Sequence, residues 1–425
     1  KIWTLRFGFG GNLDLRIIES LGLWFLNTHM TIPASRMVAA NWVFHLTVAG
    51  FMLSLLTVPY NATIVAHERM SVFAYIGILD VILRLAVVLF VAYAPVPADH
   101  LVLYGFLQLA VGVLLQAIYW TYCRRHFAEC RVERRFDRQC WAAMSSFAGW
   151  NFIGSAAVLL RDAGGNVVLN LFFGPVVNAA RGVSQQVNNA VSGFVGNFMT
   201  AVNPQITKSY ASGDKDYMIS LIFRTSRFSF YLLLVLSLPI LFNTEFILTV
   251  WLKTVPEHTV NFVRLVLLLS FCEALSHPLI TALSATGRIR NYQLIVGGLL
   301  MMNLPLAYVS LCFGAPAESV FVIAISLSVC CLMARLVMSR RMIGLSVRHF
   351  VSSVILPVLS VSVAATILPV FFGAFSRLSG WMDFVASALL CVTSASLMVY
   401  FIGCTNSEKR FIREKAHAMR HKLCW

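Results

Sequence analysis

The chain has 425 residues, of which 59% are hydrophobic and only 12% are charged, and it carries a net charge of +15. A soluble protein would have about twice that charged fraction, and the apolar residues here run along the whole length rather than in one anchor. The composition therefore excludes a soluble globular enzyme and predicts an all-α polytopic integral membrane protein.

Apolar runs long enough to cross a membrane follow one another along the chain. The opening segment, 1–27, is the weakest, because Asp14, Arg16 and Glu19 precede its short apolar stretch. The stronger runs lie at 38–60, 70–94, 101–122, 140–162, 176–201, 219–243, 259–284, 290–313, 317–338, 350–372 and 382–403. With the weak first segment included, we expect about twelve transmembrane helices.

The lysines and arginines are unevenly distributed over the loops. They concentrate in alternate loops and in the tail, whereas the intervening loops hold only Arg36, Lys253 and Arg377. Cytoplasmic loops of membrane proteins carry this excess of basic residues. We therefore expect both ends of the chain in the cytoplasm and the tail on an anionic inner leaflet. The basic charge then implies membrane lipids as partners and no nucleic acid.

Polar side chains recur along the span at 176–201. Because they step by three or four residues, they fall on one helical face. An arginine and several amides are costly against lipid but tolerable against a water-filled cavity or a polar ligand. The face therefore predicts one wall of a pathway. Its members are Asn178, Arg181, Gln185, Asn188, Asn189 and Ser192.

Two other spans carry ionisable side chains at helical spacing. Asp80 and Arg84 lie four residues apart and can pair, either as a structural ion pair or as part of a functional site. Glu273 and His277 have the same spacing. A carboxylate beside an imidazole can relay protons for coupled transport, and a hydrogen-bonded seam between helices is the alternative.

Arg161 and Asp162 are adjacent at the end of the run at 140–162, so they point to different sides of a helix. Gly164 and Gly165 follow them. These features predict an outer loop at 163–175, and we interpret Arg161 and Asp162 as interfacial anchors.

Signatures of catalysis and metal binding are missing from the sequence. It contains no HExxH, no G-x-S-x-G and no P-loop. The spacing of Cys123, His126 and Cys130 matches no common zinc pattern. The ten cysteines include no paired extracellular set, so a disulfide framework is not expected. We expect a protein that is not an enzyme and that uses no cofactor and no metal.

Two stretches carry a resemblance to a known family: FGPVVNAARG at 173–182 and NPQITKSYASGD at 203–214. Together with WLKTVPE at 251–257, they resemble the bacterial O-antigen and polysaccharide flippases. These belong to the multidrug/oligosaccharidyl-lipid/polysaccharide exporter superfamily. The resemblance extends over about residues 36–350. It implies a MATE-like fold, in which two bundles of helices surround a central cavity.

The family typically has fourteen helices, and twelve would match its helices three to fourteen. We therefore expect this sequence to lack the first two helices. The resemblance also implies a division of the chain into five parts. These are a truncated N-terminal bundle at 1–122, a basic cytoplasmic linker at 123–139, a six-helix bundle at 140–338, two further helices at 339–403 and a basic cytoplasmic tail at 404–425.

The resemblance implies transport by alternating access in the bacterial inner membrane. The cavity would open inward, take an undecaprenyl-pyrophosphate-linked glycan, and then open outward. Arg181 would meet the pyrophosphate, a pairing that suits a buried guanidinium. The implied hydrogen-bonding residues for the glycan or head group are Asn178, Gln185, Asn188 and Asn189.

The candidates for ion coupling are Glu273, His277, Asp80 and Arg84. We expect a monomer whose partners are the lipid-linked oligosaccharide and, as a further candidate, polysaccharide assembly proteins.

Three alternatives stay open. A cation-coupled drug exporter of the same fold would use Asp80 and Glu273. A membrane-embedded glycan polymerase or ligase would draw on the loop at 244–258, the one outer loop with candidate catalytic groups. A non-functional, truncated flippase is the third, because the sequence starts at Lys1 and its first span is poor.

Overall fold

The computed structural model describes residues 23–24, 27, 37–93, 99–130, 138–375, 380–410 and 413–414. Within these ranges the regular structure is all helical, and ten helices are long and apolar enough to cross a membrane. The protein is therefore an all-α, polytopic membrane protein. Apart from residues 23, 24 and 27, the weak span at 1–27 lies outside the described residues.

The chain forms two compact units, Lys1–Met144 and Ser145–Trp425. The described part of the first unit contains three helices of spanning length: α1 (Met37–Ala66), α2 (Met70–Tyr93) and α3 (His100–His126). α3 packs against both α1 and α2, and a small core near Ile64, Ile76 and Val111 joins them. A short 3₁₀ turn follows α3 at Ala128–Cys130.

The second unit contains the remaining described helices and a core that is larger than the two others described there. α4 (Arg138–Ala211) starts in the first unit and runs on into the second. The others are α5 (Lys215–Phe242), α6 (Thr244–Leu252), α7 (Thr259–Ala285), α8 (Arg290–Met301), α9 (Asn303–Cys312), α10 (Ser319–Ile343), α11 (Val347–Phe350), α12 (Leu356–Phe375) and α13 (Trp381–Met398). π-helical segments lie at Val351–Ile355 and Val399–Gly403. The core joins α4, α5, α7 and α10 with α12 and α13, so the two C-terminal helices share it.

α4 makes two membrane passes. Gly174 interrupts it with φ +78° and ψ −170°, a conformation that essentially only glycine adopts. Nη2 of Arg181 donates a hydrogen bond to the backbone oxygen of Asp162 at 3.1 Å. In a straight helix these residues would be about 28 Å apart, so the chain must fold back at Gly174. We call the two arms α4a (138–173) and α4b (175–211).

The predicted outer loop at 163–175 is wrong, because α4a continues through it to Gly174. Gly164 and Gly165 favour a loop in sequence, but here they permit close packing. A Cβ atom on Gly164 would collide with the side chain of Leu304, and one on Gly165 with the guanidinium of Arg181. With this fold-back counted, each of the eleven stronger apolar runs corresponds to one pass of the described chain.

Candidate functional site

Charged side chains from α4a and α7 meet within the spans of the second unit. Arg161 donates from Nη1 to Oε1 of Glu273 at 2.8 Å and from Nε to Oδ1 of Asp162 at 3.0 Å. Glu273 lies about 20 Å along α7 from its start and about 18 Å from its end, which is near the middle of the span. A lone charge at this depth is costly, and the ion pair offsets part of that cost.

The interpretation of Arg161 as an interfacial anchor is therefore wrong. Because α4a extends beyond it to Gly174, Arg161 lies about 20 Å along the helix from the turn. Its side chain is only 13% exposed, whereas that of Asp162 is 56% exposed. Arg161 thus belongs to the interior of the unit, and Asp162 is its more exposed partner.

A cavity of about 170 Å³ adjoins this ion pair. Arg335 of α10 lines it and is almost completely buried. Its Nη1 donates to Oγ of Ser276 at 3.1 Å and its Nε to the hydroxyl of Tyr292 at 3.3 Å. Neither partner carries a negative charge. His277 lines the same cavity one turn along α7 from Glu273, so both predicted coupling residues of this helix adjoin one polar space.

Arg181 of α4b also contacts Asp162, through the hydrogen bond from its Nη2 to the backbone oxygen of that residue. Its guanidinium lies 5.6 Å from the ring centroid of Phe321, which provides a cation–π contact. Its Nη1 is buried and has no hydrogen-bond partner. Among the described residues, no carboxylate forms an ion pair with Arg181 or Arg335. We call Arg161, Arg181 and Arg335, together with Asp162 and Glu273, the arginine network.

The polar face of α4b is divided by the fold. Oδ1 of Asn188 accepts hydrogen bonds from the hydroxyls of Ser192 and of Ser270 on α7, so Asn188 belongs to a seam between helices. Gln185 and Asn189 are exposed, and Nε2 of Gln185 donates to Oδ1 of Asn189 at 3.0 Å. Oδ1 of Asn178 is buried without a partner. α4b thus presents a cationic guanidinium at Arg181 and exposed neutral amides at Gln185 and Asn189.

Asp80 and Arg84 form a separate polar site within the first unit. Nε of Arg84 lies 2.6 Å from Oδ1 of Asp80, which confirms the predicted pairing along one helix. Nη1 of Arg84 donates to Oε1 of Gln108 on α3 at 3.0 Å. These side chains line a cavity of about 600 Å³ between α1, α2 and α3, and Oδ1 of Asn61 beside it is buried without a partner.

Arg335 is a residue of this site that the sequence patterns do not single out. It falls near the end of the run at 317–338 and just before Arg340 and Arg341, so it looks like the basic flank of a span. The usable signal was its position within an uninterrupted apolar stretch, about 24 Å along α10 from its start. Its polar neighbours Ser276 and Tyr292 come from other helices and could not be identified from spacing.

No protein-family model matches this chain, and neither does any curated protein.

Proposed function

We propose that this protein moves an anionic, lipid-linked oligosaccharide across the bacterial inner membrane by alternating access. One observation carries the proposal, namely the excess of positive charge in the arginine network. Three guanidiniums there face two carboxylates, and both carboxylates contact Arg161. Arg181 and Arg335 are left with hydroxyl, backbone and aromatic partners.

An uncompensated arginine within a span is costly, so its retention calls for a partner of opposite charge. A pyrophosphate group fits this need, because guanidinium forms two parallel hydrogen bonds with phosphate oxygens. Nη1 of Arg181 is a hydrogen-bond donor without a partner. An undecaprenyl-pyrophosphate-linked repeat unit has such a group between its lipid and its glycan. Exposed amides such as Gln185 and Asn189 suit the hydroxyl-rich glycan.

The alternating charge of the loops supports an orientation with both ends in the cytoplasm. In this orientation the arginine network would receive the pyrophosphate of the lipid-linked glycan from the cytoplasmic leaflet. Binding and conformational change suffice to transfer a lipid between leaflets. The proposed function therefore involves no enzymatic step.

The test is export of surface polysaccharide by cells that depend on this chain. Arg181→Ala should abolish export, because it removes the free donor and the charge. Arg181→Lys should retain part of it, because the charge stays but the paired geometry is lost. Surface polysaccharide is measured by labelling whole cells, and the amount of each variant in the membrane by immunoblot.

Arg264→Ala is the matched control, because Arg264 is an exposed arginine of α7 outside the arginine network. It should export normally. Wild-type export by Arg181→Ala at a normal membrane level would rule out the proposed role of Arg181.

A cation-coupled drug exporter is the second candidate, and the position of Glu273 favours it. The Glu273 side chain is 33% exposed and shares its cavity with His277. However, Arg161 already neutralises this carboxylate, which disfavours a cationic drug there. Drug resistance that depends on Glu273 and is unaffected by Arg181→Ala would support this candidate over the first.

A further inference from the structure

A second cluster of charges lies in the second unit, near the membrane face that the loop charges predict to be cytoplasmic. Glu408 follows the π-helical segment Val399–Gly403, and its side chain is 5% exposed. Its Oε1 lies 2.7 Å from Nη2 of Arg227 and 3.5 Å from Nε of Arg224, both on α5. Two guanidiniums thus share one carboxylate, and the cluster keeps a net positive charge.

The fold holds this cluster in a fixed arrangement. Oε2 of Glu408 accepts a hydrogen bond from the backbone N–H of Thr405 at 2.8 Å. Nη1 of Arg227 donates to the backbone oxygen of Ser353 at 3.3 Å, within the π-helical segment Val351–Ile355. Single π-helical turns occur frequently at functional sites. The Arg227 side chain is about nine-tenths buried, yet its Nε has no partner.

Arg224 opens onto a groove of about 500 Å³. Its side chain is 52% exposed and, apart from its contact with Glu408, it makes no hydrogen bond to a described residue. Ser220, His349 and Ser407 line the same groove and add hydroxyl and imidazole donors. Asp216 is the one other carboxylate among the described lining residues, and it lies in the first turn of α5. The groove therefore combines an exposed guanidinium with several neutral donors.

We infer that this Arg224 groove binds a phosphate group, presented either by the head group of an anionic phospholipid or as free phosphate. Guanidinium and hydroxyl donors at fixed positions match phosphate oxygens. Basic pockets between spanning helices at the cytoplasmic face are the sites where acidic lipid head groups bind. Glu408 holds the two guanidiniums in place, and Arg224 has donors left for the ligand. This inference stands on its own residues and is independent of the proposed transport function.

The test uses the full-length protein purified in a neutral detergent. Phosphatidylglycerol, phosphatidylethanolamine and inorganic phosphate are added separately, and binding is measured by native mass spectrometry and by the rise in melting temperature. Wild type should bind at least one phosphate-bearing anion saturably, and Arg224→Gln should weaken that binding about tenfold, a loss of about 1.4 kcal/mol. Arg224→Gln leaves the contact between Arg227 and Glu408 intact, so the variant should fold.

Arg341→Gln is the matched control. Arg341 is an exposed arginine in the last turn of α10, at the face predicted to be cytoplasmic, and it does not line the groove. This variant should bind as wild type does. A tenfold loss for phosphatidylglycerol with none for inorganic phosphate identifies a lipid site, and the converse identifies a free-phosphate site. The inference is overturned if Arg224→Gln binds normally, or if Arg341→Gln loses as much affinity.

Discussion

Glu318 lies one residue before α10 and accepts hydrogen bonds from Nδ1 of His258 at 2.7 Å and from Nδ2 of Asn261 at 3.1 Å. Burial acts to raise the pKa of this carboxyl, but the hydrogen bonds from His258 and Asn261 outweigh it and lower the pKa below its usual value. His258 itself has φ +65°, which is uncommon for a residue other than glycine. The bond to Glu318 helps to hold it in this conformation.

A carboxyl whose pKa falls on folding stabilises the native state above its unfolded pKa, which is about 4.3 for glutamate. This stabilisation is lost as the pH falls through the lower, folded pKa. At pH 7, Glu318→Gln should therefore reduce the free energy of unfolding by about 1 kcal/mol. The difference in melting temperature from wild type should shrink as the pH is lowered below 4.

Melting in a neutral detergent across this pH range provides the measurement. Glu257→Gln is the control, because Glu257 is exposed on the loop before α7, and it should melt as wild type does at every pH. A deficit of Glu318→Gln that stays constant down to the lowest pH would contradict the role of ionised Glu318.

Pairs of charges differ in how far the sequence could predict them. Asp80 and Arg84 are four residues apart on one helix, so their pairing follows from helical geometry. Arg161 and Glu273 are separated by 112 positions, and nothing in their spacing connects them. Pairing Glu273 with a cation in another helix depends on how the helices pack, which a single sequence leaves open.

Among the helices, α4 folds back at Gly174, whereas its sequence predicts a loop over the whole of 163–175. Three glycines, two asparagines and a proline between 163 and 175 have the composition of a loop. The structure keeps this stretch helical because Gly165 admits the guanidinium of Arg181 and Gly164 admits Leu304. The cost of glycine in a helix is about 1 kcal/mol, and tertiary contact can offset it. Local composition predicts the turn near Pro175 but cannot predict this contact.

Gly174 should be costly to replace because of its backbone conformation. Its conformation is essentially reserved for glycine, so Gly174→Ala should reduce the free energy of unfolding by about 2 kcal/mol. A Cβ there would meet no atom within 4 Å, so the backbone alone accounts for the loss. Thermal or denaturant unfolding of the purified protein measures it.

Gly193→Ala is the matched control within α4b. A Cβ at Gly193 also meets no atom within 4 Å, and its φ lies outside the positive range that alanine avoids. Alanine there should be neutral or stabilising by up to about 1 kcal/mol. Equal destabilisation by both substitutions would mean that the turn at Gly174 carries no special backbone requirement.

At the scale of the whole molecule, the number and position of the described spans could be predicted well. Length and apolarity decide which segments cross a membrane, and both are properties of the sequence alone. The assignment of Lys1–Met144 and Ser145–Trp425 to separate compact units depends instead on contacts between helices. These contacts also show that the two C-terminal helices, which the sequence predicts as an addition to a six-helix bundle, share the core of that bundle.

The orientation of the chain leads to a prediction of its own. If the basic loops are cytoplasmic, the turn at Ser212 faces the cytoplasm and the turn at Phe313 faces outward. Both residues are exposed. In a variant whose ten cysteines are replaced, a membrane-impermeant maleimide should label Phe313→Cys in intact cells. It should label Ser212→Cys only after permeabilisation, and the reverse pattern would invert the predicted topology.

The single-glycine turn of α4 also bears on how the protein is made. During synthesis, an arginine near the middle of an isolated helix opposes release from the translocon into lipid by about 2.5–3.5 kcal/mol. α4a carries Arg161 near its middle, so this arm is poorly suited to enter the bilayer alone, and α4b carries Arg181 about 10 Å from the turn. Because one glycine joins them, the second arm emerges directly behind the first, and it brings the hydrogen bond from Arg181 to the backbone oxygen of Asp162. We therefore expect the two arms to leave the translocon together, as one hairpin.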